Sequence, residues 1–465
     1  MEHQHEKGQW GSSFGFLMAA IGSAVGLGNL WGFPYKMGMN GGFAFLLLYV
    51  ILVVFVGYVI CLGELSLGRH YGKGVVGAYE SLSKKYAFIG WFGWISPLLI
   101  LGFYCMLGGY CLKYAIANVG DFFGAGFGVG SADSAAYFGA FTSDMLESSI
   151  YTIIFVALTV LIVRGGISSG IEKFTKVAMP ALFVALVVVI LRSVTMPGAS
   201  EGLSFMFKPD WSVFKGVGFV NVLAAAGGQM FFSLSLGMGI TITYGSYMTK
   251  DASLERSALI IPFADTVIAI MAGLAIMPAV FASGLKPGQG PGLLFVTLQT
   301  VFSAMGGFGP IFGFIFYMLV FIAAITSSIA LLEAVSSTVM DKRLEKGKSV
   351  NRKSIVTIMG IIIGLEGVFV ALDGLGANGF PQIFGQDCWL DSFDLVSEGI
   401  LMPLGACYMA IILPTELVDK EVTLNDNKFR TQKFFDFCIK FAAPLLMVLV
   451  LLGQIDTFFK LGIFS

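Results

Sequence analysis

Charge is what this sequence has least of. Only 12% of its 465 residues are Asp, Glu, Lys or Arg, against 56% hydrophobic residues and a mean hydropathy of +0.84. A chain so poor in charge cannot cover the surface of a soluble multidomain protein, and a polytopic membrane protein is the class that remains. Histidine is almost missing. The three are His3, His5 and His70, none of them in the middle of an apolar run, so the acid/base or metal constellation of an integral-membrane enzyme is not available. Of the six cysteines only Cys388 falls in a segment read as external, which excludes an outer disulfide pair; Cys61 and Cys105 read as small packing residues. Glu2 and Glu6 accompany Lys7 ahead of a full-length first apolar run, so no removable signal peptide is expected.

What is abundant is apolar runs. Crossing about 30 Å of hydrocarbon at about 1.5 Å per residue takes about 20 residues. Roughly eleven such runs are present by that estimate, centred near Gly26, Phe55, Tyr104, Phe155, Phe183, Gly237, Ala269, Ala324, Gly364, Leu404 and Leu446. Lysine and arginine concentrate in residues 69–85, 164–176, 250–256, 342–353 and 420–433, while the loop at 118–147 carries Asp121, Asp133, Asp144 and Glu147 with no base. By the positive-inside rule the N-terminus is cytoplasmic, and an odd number of spans puts the C-terminus outside.

The first apolar run, GSSFGFLMAAIGSAVGLGNLWGFPYKMGMNGG, is interrupted by Gly26-Leu27-Gly28-Asn29. Unpaired backbone groups in hydrocarbon cost several kcal/mol each, so a break at that depth persists only inside protein or around a site. A second break, Gly237-Met238-Gly239 in FFSLSLGMGITITYGSY, follows five spans later. Five is odd, which makes the halves antiparallel copies: 12–194 as the first repeat, 195–413 as the second, 1–11 a cytoplasmic segment, and 414–465 a cytoplasmic loop, an eleventh helix and an external tail. Glycine also serves close helix packing, and with 60 glycines a lone Gly-x-Gly fits that reading equally well. Two breaks at matched positions, flanked by Ser23, Asn29, Ser233 and Ser235, favour binding over packing.

The segments AVGLGNLWGFPY, NGGFAF, GELSLGR, FFSLSLGMG, ITYGSY and AITSSIALLE, in this order, resemble the neurotransmitter:sodium symporter family in its bacterial eleven-span branch, over roughly Trp10 to Lys460. The resemblance implies an all-α integral membrane protein of about eleven helices with the leucine-transporter fold, a 5+5 inverted repeat with helices 1 and 6 broken, and an extra eleventh helix. It implies a sodium-coupled symporter of the bacterial plasma membrane importing an L-amino acid, with two sodium ions, no organic cofactor, no nucleic-acid partner, lipid around it, and a monomeric or weakly dimeric state. A continuous polar pore is not suggested, since Phe232, Tyr104 and Trp31 crowd the site; a non-transporting receptor of the same fold stays open.

Residue by residue, the resemblance assigns the first sodium site to the Ala24 carbonyl, Asn29, Ser233 and Asp265, completed by the substrate carboxylate. It assigns the second to carbonyls of Gly22, Val25 and Ala323 with the hydroxyls of Thr326 and Ser327; short hydroxyl residues in an apolar helix also commonly bond back to their own carbonyls. The substrate is expected against Ser23, Ala24, Gly26, Gly28, Ile100, Tyr104, Phe232, Ser233, Ser235, Met238, Ser327 and Leu331. By aromatic content alone, Tyr104, Phe232 and Met238 read equally well as core. No aspartate stands at Ser23 or Ala24, as it does in amine-selective relatives, so the ligand must bring its own carboxylate. Adaptable Met238 between two glycines suits a large hydrophobic or aromatic side chain. Asp265, where asparagine is frequent, supplies a fixed negative charge and makes chloride dispensable.

Lys7, Trp10, Ser246, Tyr247 and Asp341 resemble the cytoplasmic gate, and Glu64 the buried acid that supports the broken first helix. Gly170 and Pro180 match a Gly-x9-Pro pattern linked to inward opening. At the outer gate the expected arginine is replaced by Gly32, and Lys36, one turn further along, is expected to pair with Asp394 or else to snorkel to the interface. Lys84, Lys85 and the basic run at 342–353 read as solvated charge. Glu366 and Glu398 have no assigned role.

Overall fold

The structure is a computed structural model that describes residues 8–130, 133–287 and 290–464. Among these residues it is helical throughout, with no strand. Nine helices are long and apolar enough to cross a membrane unaided: Phe43–Tyr71, Lys84–Phe123, Met145–Arg164, Ile167–Val194, Leu254–Ala282, Gly306–Glu345, Arg352–Asp373, Trp389–Ile412 and Gln432–Phe458. The first crossing is a pair, Ser13–Ala24 and Gly28–Met39, bent by 43°. The sixth is two short helices, Phe219–Ser233 and Ile240–Ser246, with six residues between them. Counted in chain order these are spans 1 to 11. Length alone would miss span 6, because its break leaves each half too short to cross.

Local chemistry explains the two interruptions. Span 1 starts on Ser12, whose hydroxyl accepts from the Gly15 amide. It stops at Val25, in an extended conformation, and resumes as a π-helical turn over Gly28–Gly32. In span 6 the chain passes through left-handed backbone at Ser235, Gly237 and Gly239, a conformation that costs Gly little and other residues about 1–2 kcal/mol. Gly237 is also pressed against the Met402 carbonyl of span 10, and Gly239 against Val75 and the Gly93 carbonyl, so neither has room for a side chain.

Spans 3 and 8, the two longest, pack along each other and present Tyr104 and Ser327 to the breaks. Span 9 lies on spans 3 and 4, and span 11 covers span 6. Both breaks are buried. Span 5 opens with a π-helical turn, Ile167–Glu172, and Pro180 sits inside its helix. Gly170 lies in that turn, tight against the Ile162 carbonyl.

A candidate substrate and ion site between two broken helices

The residues expected at the substrate site surround one cavity. Ser23, Ala24, Gly26, Gly28, Ile100, Tyr104, Phe232, Ser235, Met238, Ser327 and Leu331 line a narrow, nearly filled space. Ser233 does not line it; its hydroxyl turns away to Asp265. The freed backbone of the first break is met by side chains: the Leu27 amide donates to the Tyr104 phenol at 2.9 Å, the Gly26 amide to Asn29 Oδ1 at 3.1 Å, and Gln229 Nε2 donates to the Gly28 carbonyl at 2.8 Å. The two breaks are tied together by Ser235, whose hydroxyl donates to the Ser23 carbonyl at 3.2 Å. A Cβ on Gly26 would overlap the Ser327 and Tyr104 hydroxyls, and one on Gly28 would come within 2.9 Å of the Phe232 ring. At both glycines the opposing side chains therefore approach the backbone too closely to leave room for a Cβ.

Beside this cavity, Asn29, Ser233 and Asp265 form one fully buried cluster. Asn29 Nδ2 donates to Asp265 Oδ1 at 2.8 Å, and the Ser233 hydroxyl reaches both carboxylate oxygens at 3.0 and 2.9 Å. A fourth member, Tyr49, donates its phenol to Asp265 Oδ2 at 3.0 Å. Tyr49 was not singled out from the sequence; the available signal was a lone hydroxyl in the apolar stretch FAFLLLYVIL. On the other side of span 1, Thr326 Oγ1 donates to the Ala323 carbonyl at 2.8 Å and approaches the Val25 carbonyl at 3.4 Å. Ser327 Oγ lies 3.0 Å from the Ser23 carbonyl, 3.4 Å from that of Gly22 and 3.5 Å from that of Val25. The oxygens assigned to the second sodium site thus converge, and the i−3 back-bond that competes with that role is also made, by Thr326.

Of the residues expected at the cytoplasmic gate, Lys7 lies outside the described residues. Trp10 Nε1 donates to the Tyr244 carbonyl at 3.1 Å, and its ring meets Tyr244 and Tyr247 edge-on. Ser246 bonds back to the Thr243 carbonyl, and Asp341 accepts from the Gly74 amide at 2.7 Å. Tyr247 instead donates to Glu333 Oε1 at 2.6 Å, and fully buried Glu333 is ion-paired with Arg352. Arg352, read as solvated charge, is therefore part of this buried network: a carboxylate on span 8 with no water around it needs a cation, and the start of span 9 supplies it. Lys342, in the same basic run, is paired with Glu80.

Two acids take partners other than those expected. Glu64 was expected to support the first break; its carboxylate accepts from the Gly237 amide at 2.8 Å and so caps the second. Lys36 was expected to pair with Asp394, and its ammonium goes to Glu398. Asp394 and Glu398 are four residues apart at the edge of a π-helical turn, Leu395–Leu401, and their carboxyls lie against each other. The long lysine stem reaches past the first acid to the second, deeper one. Gly32 is explained by the same surroundings. A Cβ there would lie 2.9 Å from Gln229 Oε1, so the larger side chain expected at this position has no room beside Gln229. Lys36, Asp391, Asp394, Glu398, Asp456 and Lys460 line a wide vestibule above the site.

The chain is similar along nearly its whole length to known transport proteins. The sodium:neurotransmitter symporter family model matches residues 7–122 and 136–464. An uncharacterized sodium-dependent transporter of Bacillus subtilis (strain 168), YhdH, is 34% identical over 96% of this chain and 97% of its own length. A sodium-dependent transporter of Haemophilus influenzae is 32% identical over 96% and 98%. Among solved structures, the crystal structure of MhsT in complex with L-phenylalanine superposes with a TM-score of 0.87 at 37% identity, covering 96% of this chain and 99% of that one.

Proposed function

The chain belongs to the sodium:neurotransmitter symporter family and is a sodium-dependent multi-pass membrane transporter with the leucine-transporter fold, not an enzyme; from that premise we propose that it imports an L-amino acid with a large hydrophobic or aromatic side chain, driven by sodium and independent of chloride. The observation that carries this reading is the cavity between the two breaks. On one side the Leu27 and Gly26 amides, here bonded to the Tyr104 hydroxyl and to Asn29, would exchange those partners for a carboxylate, with the Tyr104 hydroxyl free to donate to it; on the other the Ser23 carbonyl, here held by the Ser235 and Ser327 hydroxyls, would turn to an ammonium. The remaining lining, Ile100, Phe232, Met238 and Leu331, is apolar. An aromatic side chain enters this narrow space only if Phe232, Met238 and Leu331 rotate outward, and unbranched Met238 does so at least cost. The similarity to a structure holding L-phenylalanine supports the same size class.

Two sodium ions are cargo in this reading. Ala24, Asn29, Ser233 and Asp265 would hold one together with the substrate carboxylate, and Gly22, Val25, Ala323, Thr326 and Ser327 the other. All are hard oxygen donors of the kind this ion requires, and an unwound helix supplies the carbonyls. Asp265 carries the fixed negative charge that balances the ions, which is why chloride is not required. Residues 12–194 and 195–413 act as the two inverted repeats, rocking around the site with the N-terminus cytoplasmic and the C-terminus outside. Trp10, Tyr247 and the Glu333–Arg352 pair close the cytoplasmic side, and Lys36 with Glu398 the outer vestibule. The test is uptake of an amino-acid panel into proteoliposomes. Leucine, phenylalanine and tryptophan should accumulate only under an inward sodium gradient, equally in chloride and gluconate. Accumulation driven by a proton gradient without sodium would refute the coupling, and high-affinity sodium-dependent binding with no uptake would favour the receptor reading.

A further inference from the structure

A groove on the membrane-facing side, away from the substrate cavity, runs between spans 4, 5 and 8. It is lined by Ile162 and Gly165 of span 4 and its end, by Gly170, Lys173 and Ala181 of span 5, and by Ile322 of span 8, with about 1020 Å³ of empty space open to the surroundings. Its walls are mostly apolar, from Leu161, Phe174, Val177 and Ile322, and it stays open because glycine and alanine stand where larger side chains would fill it. Its mouth is cationic. Lys173 lines the groove, and Arg164, the last residue of span 4, adjoins Gly165. Both side chains are exposed, and neither makes an ion pair or side-chain hydrogen bond among the described residues. Lys176, one turn further, is already committed to Glu172. An apolar channel with one uncommitted cation in its lining, Lys173, and a second, Arg164, on the residue next to lining Gly165 has the chemistry of one ligand class: an acyl chain joined to an anionic headgroup.

We propose that this groove is a binding site for one anionic phospholipid, its acyl chain along Ile162, Ala181 and Ile322 and its phosphate between Arg164 and Lys173. The site adjoins the π-helical turn Ile167–Glu172, whose last residue holds the start of span 1: Glu172 Oε2 accepts from the Gly11 amide at 2.6 Å and Oε1 from the Ser12 hydroxyl at 2.9 Å. A lipid seated there braces the turn that holds the start of span 1. Binding is independent of the substrate and ion assignments above, so its failure leaves them untouched.

The test is native mass spectrometry of the full-length protein in mild detergent, titrated with phosphatidylglycerol or with phosphatidylcholine of the same chains. One phosphatidylglycerol should be retained in preference to phosphatidylcholine. Arg164→Gln with Lys173→Gln should cut that preference about thirty-fold, from roughly a fivefold effect for each interfacial cation, while Lys353→Gln leaves it intact. Ala181→Phe, which fills the groove and keeps both cations, should weaken both lipids. Equal retention of the two lipids by the wild type, an unchanged preference in the double variant, or an equal loss in Lys353→Gln overturns the proposal. So does displacement of the lipid by millimolar inorganic phosphate. An Ala181→Phe variant whose only change is its monomer–dimer distribution would assign the groove to a second copy of the chain and overturn it as well.

Discussion

Replacing Asp265 by asparagine is the sharpest single perturbation of the ion site. The carboxylate accepts from three side-chain donors, the Asn29 amide, the Ser233 hydroxyl lying within reach of both its oxygens, and the Tyr49 phenol, in a fully buried setting. Asparagine keeps the shape and one acceptor oxygen but turns the other into an amide donor facing donors. Bonds to a charged acceptor are worth about 1.5–3 kcal/mol each, and part of this is recovered because the Ser233 and Tyr49 hydroxyls can rotate to accept. The larger loss is electrostatic. A unit charge about 4 Å from a sodium ion contributes about 4 kcal/mol at an effective dielectric constant near 20, and the surrounding dipoles return up to about half of that. Sodium affinity should therefore fall by about 2–4 kcal/mol, roughly thirty- to seven-hundred-fold. The assay is sodium-dependent binding of radiolabelled substrate to purified protein, in chloride and in gluconate. The variant should need far more sodium, and chloride should partly restore it by supplying the missing negative charge. Tyr49→Phe, which removes one donor and keeps the charge, should shift the sodium curve less than tenfold. Wild-type sodium dependence of Asp265→Asn in gluconate would falsify the assignment of Asp265 to the ion site and the account of chloride independence with it.

Three further outcomes follow from the same geometry. Gly26→Ala should abolish substrate binding while leaving the fold intact, since the added methyl meets the Ser327 and Tyr104 hydroxyls inside the cavity; normal affinity in a correctly folded variant would place the ligand elsewhere. A double-mutant cycle between Lys36→Met and Glu398→Gln should give a coupling of about 1–3 kcal/mol in substrate dissociation, more than an exposed pair because Glu398 is only 5% exposed, whereas the cycle of Lys36→Met with Asp394→Asn should couple more weakly; the opposite order would restore Asp394 as the gate partner. Glu421, in the short helix Thr415–Val422 before span 11, is pushed up by burial, but hydrogen bonds from His70 and Arg69 and the charge of Lys250 outweigh this and hold it below the usual carboxylate range. Its contribution is thus present above about pH 4.3, the unfolded value, and is lost as pH falls through the lower folded value; Glu421→Gln should cost about 3–5 kcal/mol at neutral pH by stranding buried Arg69 and flatten the acid limb of thermal stability against pH, and an unchanged melting temperature would mean that Arg69 finds another partner.

Composition and backbone chemistry made much of this protein legible from its sequence. Apolar runs of membrane length, and glycines where the backbone must turn inside one, are local properties of the chain, so the spans and both breaks could be placed by reading along it. Most of the residues that face the cavity stand within or beside those breaks or in the segment AITSSIALLE, and Ile100 and Tyr104 could be assigned only through the resemblance to a known family. Tertiary structure decided the partners. Which donor reaches Asp265, that Glu64 caps the break in span 6 and not span 1, that Lys36 passes Asp394 for Glu398, and that Arg352 turns inward to Glu333 all depend on how helices far apart in sequence lie against each other. A buried charge takes whichever counter-group the packing brings within about 3 Å, and a π-helical turn such as Leu395–Leu401 shifts the facing register in a way that side-chain spacing does not reveal.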